Sequence, residues 1–171
     1  NSDHSMWGID DEYVSAPHLR RSDKSTFSHM DLAERLESPS DIEAFFCWNI
    51  NPAASNPEQS RLRRALSRED LFTVVCDLFQ TDTADLADIV LPAASFLEFN
   101  DIVTSYFNLT IGPQTKAQEP LGMSLTNQEI FRRMARAMGY NEPELFEDDE
   151  SIIDHMLKST SLNGGFDALK Q

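Results

Sequence analysis

Two short apolar runs, close together in the chain, place the strongest constraint on its fold. They are Phe72–Val75 and Ile89–Leu91, and polar or turn-forming residues bound each of them. Runs of this length, rich in Val, Ile and Phe, are typical of strands buried on both faces of a parallel sheet. Between them lies Asp77–Asp88, a segment dense in Asp and Thr. Because open α/β sheets bind ligands at the carboxyl ends of their strands, the sequence predicts a ligand site there.

A further strand and a helix precede these runs. The segment Ile42–Asn49 contains the apolar run AFFCW, which predicts a strand. Asn56 followed by Pro57 has the form of a helix start, with Asn at the cap and Pro at the first helical position. Apolar residues then recur at helical spacing at Leu62, Ala65 and Leu66. The order strand, helix, strand predicts a βαβ unit with a right-handed crossover.

Three more helices are predicted outside this unit. A short one is expected near Asp31–Glu37. Thr126 and Glu129 form a capping box for a second helix, which Gly139 is expected to end. The third is expected over Glu150–Lys158, where apolar residues again recur at helical spacing.

The 171 residues are enough for one domain, and the chain divides into three parts by pattern. Residues 1–40 hold eight serines and little apolar periodicity, so we expect an irregular segment leading from a missing upstream domain. Residues 41–158 are the predicted α/β domain. Residues 159–171 contain Gly164–Gly165 and a polar end, which predicts a linker or a truncated end. The lack of an initiator Met indicates a fragment or a processed product.

The formal net charge of −15 disfavours nucleic acid as a partner, because phosphate binding relies on clustered Lys and Arg. No apolar run approaches the roughly 20 residues of a membrane span. Cys47 and Cys76 lack CxxC spacing, so neither a zinc site nor an iron–sulfur cluster is predicted in this chain. As free thiols in predicted strands they favour a reducing, cytoplasmic compartment. A periplasmic location stays open, since an export signal would precede Asn1.

Acidic residues are concentrated in Asn141–Leu157, which holds seven acids and no Lys or Arg. A solvated acidic face is one interpretation. A contact surface for a neighbouring domain is the other.

Asp77 is the first candidate ligand residue. An ionised carboxylate accepts hydrogen bonds through two coplanar oxygens, and guanine presents a ring N–H and an exocyclic amino group side by side. Thr81, four residues on, offers a hydroxyl to the same base or its sugar. On spacing alone, the commoner role of such an Asp is to cap a turn.

The second candidate is the loop after the first strand, where Asn49, Asn51 and Asn56 offer amides. A helix opening at Pro57 would add free backbone N–H groups, which bind anions such as a diphosphate. No G-x-G-x-x-G or P-loop pattern accompanies the loop, so the site differs from an ordinary dinucleotide fingerprint.

The sequence predicts no catalytic residue and no metal ligand. It contains no G-x-S-x-G elbow and no His pair at metal-binding spacing. Glu98 and Asp101 allow a small acid–base enzyme as an alternative, which requires raised pKa values at both carboxylates.

The stretch VVCDLFQTDTADLADIVLPAASFLE resembles a signature of the molybdopterin oxidoreductase (dimethyl sulfoxide reductase) family. The upstream WNINPAASNP and the downstream TNQEIFRRMARAMG resemble that family's strand-end loop and a helix, so the resemblance covers roughly residues 42–140. The matching signature positions are Asp77, Phe79, Thr81, Thr83, Ala84, Ala87, Asp88, Val90, Leu91, Pro92 and Glu98.

The resemblance implies the third domain of a four-domain catalytic subunit: a three-layer, doubly wound, Rossmann-like α/β domain with a mainly parallel sheet. It implies that Asp77 and Thr81 bind the guanine end of a bis(molybdopterin guanine dinucleotide) cofactor carrying molybdenum. It also implies that the loop formed by Asn49, Asn51 and Pro52 lines the cofactor channel. The implied partners are the other domains of the same subunit.

The chain also departs from that family's pattern. The common N-x-E-G-R-x-Q is replaced by NDIVTSYFNLTIGPQ, and the molybdenum ligand and the iron–sulfur cysteines are missing. An iron–sulfur cluster is therefore expected in a missing N-terminal domain, and this domain is expected to be inactive alone. The alternative is a stand-alone, non-enzymatic nucleotide-binding or interaction module. The substrate and the oligomeric state cannot be read from these residues.

Overall fold

A computed structural model describes residues 7–20, 25–37, 42–105, 107–162 and 164–171 of the chain. The chain forms two compact units. Asp23–Ala93 form the sheet unit, and Asn1–Ser22 with Ala94–Gln171 form the second unit. The described helices are α1 (Asp11–Ser15), α2 (Leu32–Glu37), α3 (Pro52–Ser55), α4 (Gln59–Leu66), α5 (Asn127–Ala137), α6 (Asp149–Leu157) and α7 (Gly165–Leu169); the strands are β1 (Ala44–Trp48), β2 (Phe72–Asp77), β3 (Ile89–Pro92), β4 (Asp101–Thr104) and β5 (Ile111–Gln114).

The sheet unit is built on three parallel strands in the order β1-β2-β3. Trp48 of β1 lies opposite Cys76 of β2, and Asp77 of β2 lies opposite Pro92 of β3. Pro92 is tolerated in a strand because β3 is an edge strand of the described sheet, where a missing ladder donor costs little. The predicted α/β fold with a parallel sheet is confirmed. Parallel pairing brings the carboxyl ends of all three strands to one edge.

Helices α2 and α4 cover one face of this sheet. Leu62, Ala65 and Leu66 form one apolar stripe of α4, with arginines on its other faces. This stripe packs against Leu36 of α2 and against Phe45 of β1. Cys47 and Val75 continue the same face of the sheet beside Ala84. The short helix expected near Asp31–Glu37 is thereby confirmed, and it supplies core contacts to the sheet unit.

The strands of this sheet are only partly buried on their two faces. Phe72 is 50% exposed and Ile89 is 43% exposed, so the prediction of complete burial is wrong at these positions. They lie opposite Ala44 and Val74, on the face turned away from Phe45 and Cys47. Cys47 and Cys76 are buried free thiols, as predicted.

The predicted helix start at Asn56–Pro57 is wrong. The chain begins a helix one Asn-Pro pair earlier, with Pro52 at the first position of α3. Asn56 ends α3 in extended conformation, because a following Pro disfavours helical geometry. Its buried amide donates to the His29 carbonyl oxygen at 2.8 Å. Helix α4 then starts at Gln59, after Glu58 in left-handed conformation with a φ of 56°.

The second unit combines the antiparallel pair β4–β5 with helices α1, α5, α6 and α7. The N-cap half of the predicted capping box is confirmed, because the Thr126 hydroxyl oxygen accepts from the Glu129 N–H at 3.2 Å, whereas the Glu129 carboxylate accepts from Arg133 at 2.8 Å. Helix α5 ends before Gly139, whose φ of 77° is left-handed. Residues 159–171 contain α7, and its Phe166 packs on Ile153 and Leu157 of α6. The predicted division at residues 40 and 158 stays a prediction about the parent protein.

Several carboxylates of the acidic segment have partners within the second unit. Asp148 caps α6 by accepting from the Ser151 N–H at 2.9 Å. Asp149 pairs with Arg132 of α5, and Glu147 accepts a hydrogen bond from the Tyr13 hydroxyl. Burial, followed by the bond to Glu147, raises the pKa of Tyr13. These contacts tie α1, α5 and α6 together.

Within the described ranges, no helix is long and apolar enough to cross a membrane. The longest of them, α5, has 11 residues.

The core of the sheet unit predicts a large effect for Leu62→Ala. Leu62 is fully buried, at 0% exposure, so its truncation leaves a cavity and should lower the free energy of unfolding by about 2–5 kcal/mol. Chemical denaturation followed by circular dichroism measures the change. Ile89→Ala, at a half-exposed position of the same unit, is the control and should cost clearly less. Equal losses in the two variants would contradict the described core.

Candidate ligand-binding site

The candidate site lies at the carboxyl edge of the parallel sheet. Two loops meet there: the β1 loop, residues 49–51, and the β2 loop, residues 78–83. Both follow directly from neighbouring strands, so the topology brings together segments about 30 residues apart. The predicted site residues Asn49, Asn51, Asp77 and Thr81 all lie in these loops or at the strand end that leads into them.

Asn49 turns the chain directly after β1. Its φ of 52° is left-handed, a conformation that Asn tolerates better than most residues. Its backbone N–H still donates to the Cys76 carbonyl oxygen at 2.9 Å, which extends the ladder between β1 and β2 by one bond. The Asn49 side chain is exposed at the sheet edge.

Asp77 is the last residue of β2, so the strand runs two residues beyond its predicted end at Val75. Its carbonyl oxygen accepts from the Ala93 N–H at 3.1 Å, and its carboxylate oxygen Oδ1 accepts from the Phe79 N–H at 3.2 Å. The turn-capping interpretation is therefore correct for one bond of this side chain. Because a carboxylate has about four acceptor positions, capacity for further donors is left.

Thr81 lies three residues before the helical turn Ala84–Leu86, whose N-cap is Thr83. Its hydroxyl oxygen accepts from the Ala84 N–H at 3.2 Å, and its carbonyl oxygen accepts from the Asp85 N–H at 2.9 Å. The hydroxyl is used as an acceptor, which leaves its O–H free to donate. Thr81 is partly exposed on the same loop that follows Asp77.

The side chains of Asn51 and Pro52 are engaged in contacts within the chain. The Asn51 amide oxygen accepts from both the N–H and the hydroxyl of Thr83, at 3.2 and 2.7 Å, and its amide nitrogen donates to Asp82 Oδ2 at 3.3 Å. Pro52 is fully buried at the start of α3. A ligand contact from either residue stays a prediction. The hydrogen bonds of Asn51 join the β1 loop to the β2 loop.

Sequence reasoning missed the roles of three residues whose hydrogen bonds hold the β2 loop: Thr83, Asp82 and Arg63. Thr83 is fully buried, and its hydroxyl oxygen also accepts from the Ala53 N–H at 3.0 Å. Arg63 of α4 donates to Asp82 Oδ1 at 2.7 Å, and this bond chiefly lowers the pKa of Asp82. The Thr-x-Thr spacing was the available signal for Thr83, whereas nothing in the pattern links Arg63 to the loop.

The two cysteine thiols beside the site, Cys47 and Cys76, have raised pKa values. Burial, followed by the charge of Asp77, raises the pKa of Cys47 to about 11. The same two causes raise the pKa of Cys76. Cys47 donates through its thiol to the Ile50 carbonyl oxygen of the β1 loop at 3.2 Å, so it is a protonated core residue of strand β1.

Glu98 and Asp101 do not form the alternative acid–base site. Glu98 is buried, and its carboxylate accepts from the N–H groups of Ser95 and Leu121 at 2.6 and 2.8 Å. Those bonds, the one from Ser95 foremost, lower its pKa, whereas the alternative requires a raised value. Burial does raise the pKa of Asp101. Glu98 is thus a structural clamp between two loops of the second unit.

No group of three or more His, Cys, Asp or Glu side chains suited to a metal ion occurs among the residues that the structure describes.

The fold and the candidate site define an α/β domain with polar side chains at one edge of a parallel sheet. A family model described as "Molybdopterin oxidoreductase" matches residues 15–137, and the chain belongs to this family. Members of the family are oxidoreductases, and membership implies a molybdenum–pterin cofactor.

Two curated relatives illustrate the range of the family. The chain is 48% identical over 118 residues to "Probable oxidoreductase YoaE" of Bacillus subtilis, covering 69% of this chain and 17% of the relative. It is 30% identical over 153 residues to "F420-dependent formate dehydrogenase subunit alpha" of Methanocaldococcus jannaschii, covering 89% of this chain and 22% of the relative. The chain thus spans about a fifth of the length of the curated relatives it matches.

A solved structure shares the fold. Acetylene hydratase from Pelobacter acetylenicus superposes with a TM-score of 0.67 at 24% sequence identity, over 80% of this chain and 19% of that one.

The raised pKa of Cys47 predicts a loss of stability in alkali. The folded chain holds the thiol proton up to about pH 11, whereas the unfolded chain releases it near 9.0. Stability from this group is full below pH 9 and falls by on the order of 2 kcal/mol as pH rises to about 11. Urea unfolding at pH 8, 9, 10 and 11 measures it. Cys47→Ala should show a shallower fall, and identical pH profiles would contradict the assignment.

Proposed function

We propose that this chain is the part of a molybdopterin-dependent oxidoreductase catalytic subunit that holds the guanine end of a bis(molybdopterin guanine dinucleotide). The observation that carries the proposal is Asp77 at the carboxyl end of the central strand β2, with acceptor capacity left after its single bond to Phe79. Family membership supplies the cofactor class.

The residues at the sheet edge fit a guanine. The carboxylate of Asp77 would accept from the ring N–H and the exocyclic amino group together, a paired and charge-assisted contact. The Thr81 hydroxyl would donate to the base or its sugar, since its oxygen already accepts from Ala84. Asn49 would offer its exposed amide from the β1 loop. Asn51 and Pro52 would support that loop through their internal contacts, at the wall of the cofactor channel.

The bound group would supply the redox chemistry through its molybdenum, while the residues of this chain bind and orient its nucleotide end. The molybdenum ligand, an iron–sulfur cluster and the remaining domains would belong to the rest of the catalytic subunit. A cytoplasmic location belongs to the same proposal. A stand-alone nucleotide-binding module would use the same edge, and family membership weighs against it.

The proposal predicts a base preference that depends on Asp77. The chain should bind GDP more tightly than ADP in isothermal titration calorimetry. Asp77→Asn should weaken GDP binding by about 10–100-fold, because the new amide directs N–H groups at the donors of guanine. The same variant should gain affinity for XDP, whose base carries a carbonyl oxygen in place of the amino group.

The matched control is Asp85→Asn, a second acid of the same region whose carboxylate accepts from Gln80 at 2.8 Å. It should leave the GDP preference unchanged. A wild-type chain that binds GDP and ADP equally, or an Asp77→Asn variant that keeps the preference, would refute the assignment.

The proposal also predicts that the 171-residue chain has no turnover of its own. Reduced methyl viologen with nitrate, dimethyl sulfoxide or trimethylamine N-oxide should show no oxidation above the rate without protein. The reason is that the residues expected to ligate molybdenum and transfer electrons are not in this sequence. Steady oxidation by the purified chain would overturn this part of the proposal.

A further inference from the structure

We propose that Thr83 is a positioning residue, which fixes the β2 loop so that Asp77 and Thr81 are presented together at the sheet edge. Its hydroxyl joins the two site loops directly, donating to Asn51 Oδ1 at 2.7 Å and accepting from the Ala53 N–H at 3.0 Å. The inference rests on the proposed function for its consequence in binding, and on these contacts for its structural part.

The hydrogen bonds of Thr83 start from a buried side chain and reach partners that are buried or partly buried. The side chain is 0% exposed, and both its hydroxyl bonds cross from the β2 loop to the β1 loop and the start of α3. The Thr83 N–H adds a third bond to Asn51 Oδ1 at 3.2 Å. Because a buried polar group that loses its partner cannot turn to water, these bonds hold the loops strongly. One residue therefore fixes two loops that are about 30 positions apart.

The loop on the ligand side depends on this anchor. Thr81 lies two residues before Thr83, and its hydroxyl and carbonyl oxygens accept from the Ala84 and Asp85 N–H groups. The other end of the loop is held at Asp77 by its strand and by the bond from Ala93. Without the Thr83 hydroxyl, the turn that carries Thr81 loses its bonds to the Asn51 amide oxygen and to the Ala53 N–H, so its local bonds open more readily.

An exposed ion pair adds to the anchor without replacing it. Arg63 Nη2 reaches Asp82 Oδ1 at 2.7 Å, with both side chains more than 40% exposed. Ion pairs of that exposure contribute little, because water competes for both partners. The buried Thr83 hydroxyl is thus the contact whose removal should loosen the loop.

The sheet unit contains a matched control. Thr73 of β2 is also 0% exposed, but its hydroxyl has no hydrogen-bond partner in the described part of the chain. Thr→Val has the same shape change at both positions, so the pair isolates the hydrogen bonds. Thr83→Ser keeps the hydroxyl and should restore the wild-type behaviour.

The test is hydrogen exchange of the 171-residue chain, followed residue by residue by NMR. Thr83→Val should raise the exchange rates of the Ala84 and Asp85 amides about tenfold or more, because their turn opens locally. The amides of β2 should keep their wild-type rates, and neither Thr73→Val nor Thr83→Ser should accelerate the turn. Unchanged rates at Ala84 and Asp85, or equal acceleration throughout β2, would overturn the proposal.

A titration with GDP tests the consequence for the site. Thr83→Val should bind GDP about tenfold more weakly than wild type while Thr83→Ser and Thr73→Val retain wild-type affinity. Wild-type affinity in Thr83→Val would overturn the positioning role. If the wild-type chain shows no preference for GDP over ADP, the proposed function fails, and the exchange rates still decide whether Thr83 anchors the loop.

Discussion

Parallel pairing of β1, β2 and β3 is the constraint on which the site depends. It sends every strand in the same direction, so the residues that follow Trp48, Asp77 and Pro92 meet at one edge. Backbone and side-chain polar groups at that edge lie beyond the ladder and need other partners. The β1 and β2 loops supply them to one another through Asn51 and Thr83. The candidate site is therefore a product of the sheet topology and of the polar groups left over at its end.

Much of the fold follows from local pattern. The apolar stripe of α4 and the N-cap at Thr126 each depend on residues within one or two helical turns, so both were predictable. The helix start at Asn56 was not, because the loop contains two Asn-Pro pairs with equal local signals. In the structure the Asn56 amide donates to the His29 carbonyl oxygen, a contact between segments distant in sequence that local pattern does not reveal. Phe72 and Ile89 show the same limit, because their exposure depends on which elements cover the sheet.

The residues of the candidate site also divide into those that local sequence predicts and those that only the fold reveals. An acid at the end of a buried strand marks Asp77, since that signal needs only the strand and its direction. Thr83 and Arg63 bond to residues distant in sequence. Their roles therefore appear only when the register of β1 against β2 is known. Asn51 was singled out as a polar loop residue, and its amide is engaged with Thr83 and Asp82. The residue types show which side chains can form hydrogen bonds, and the strand topology determines which partners they meet.

The internal bonds of the β2 loop have a kinetic consequence. The turn at Thr81–Ala84 is already ordered by hydrogen bonds from within the chain, and Asp77 is already oriented by its bond to Phe79. Under the proposed function, a nucleotide that docks there would meet a preorganised surface, so no slow loop closure would need to precede or follow the encounter. If the proposed function holds, association would proceed as rigid docking, and differences in affinity among nucleotides would arise in their residence times. The protein has completed the ordering of this edge during folding.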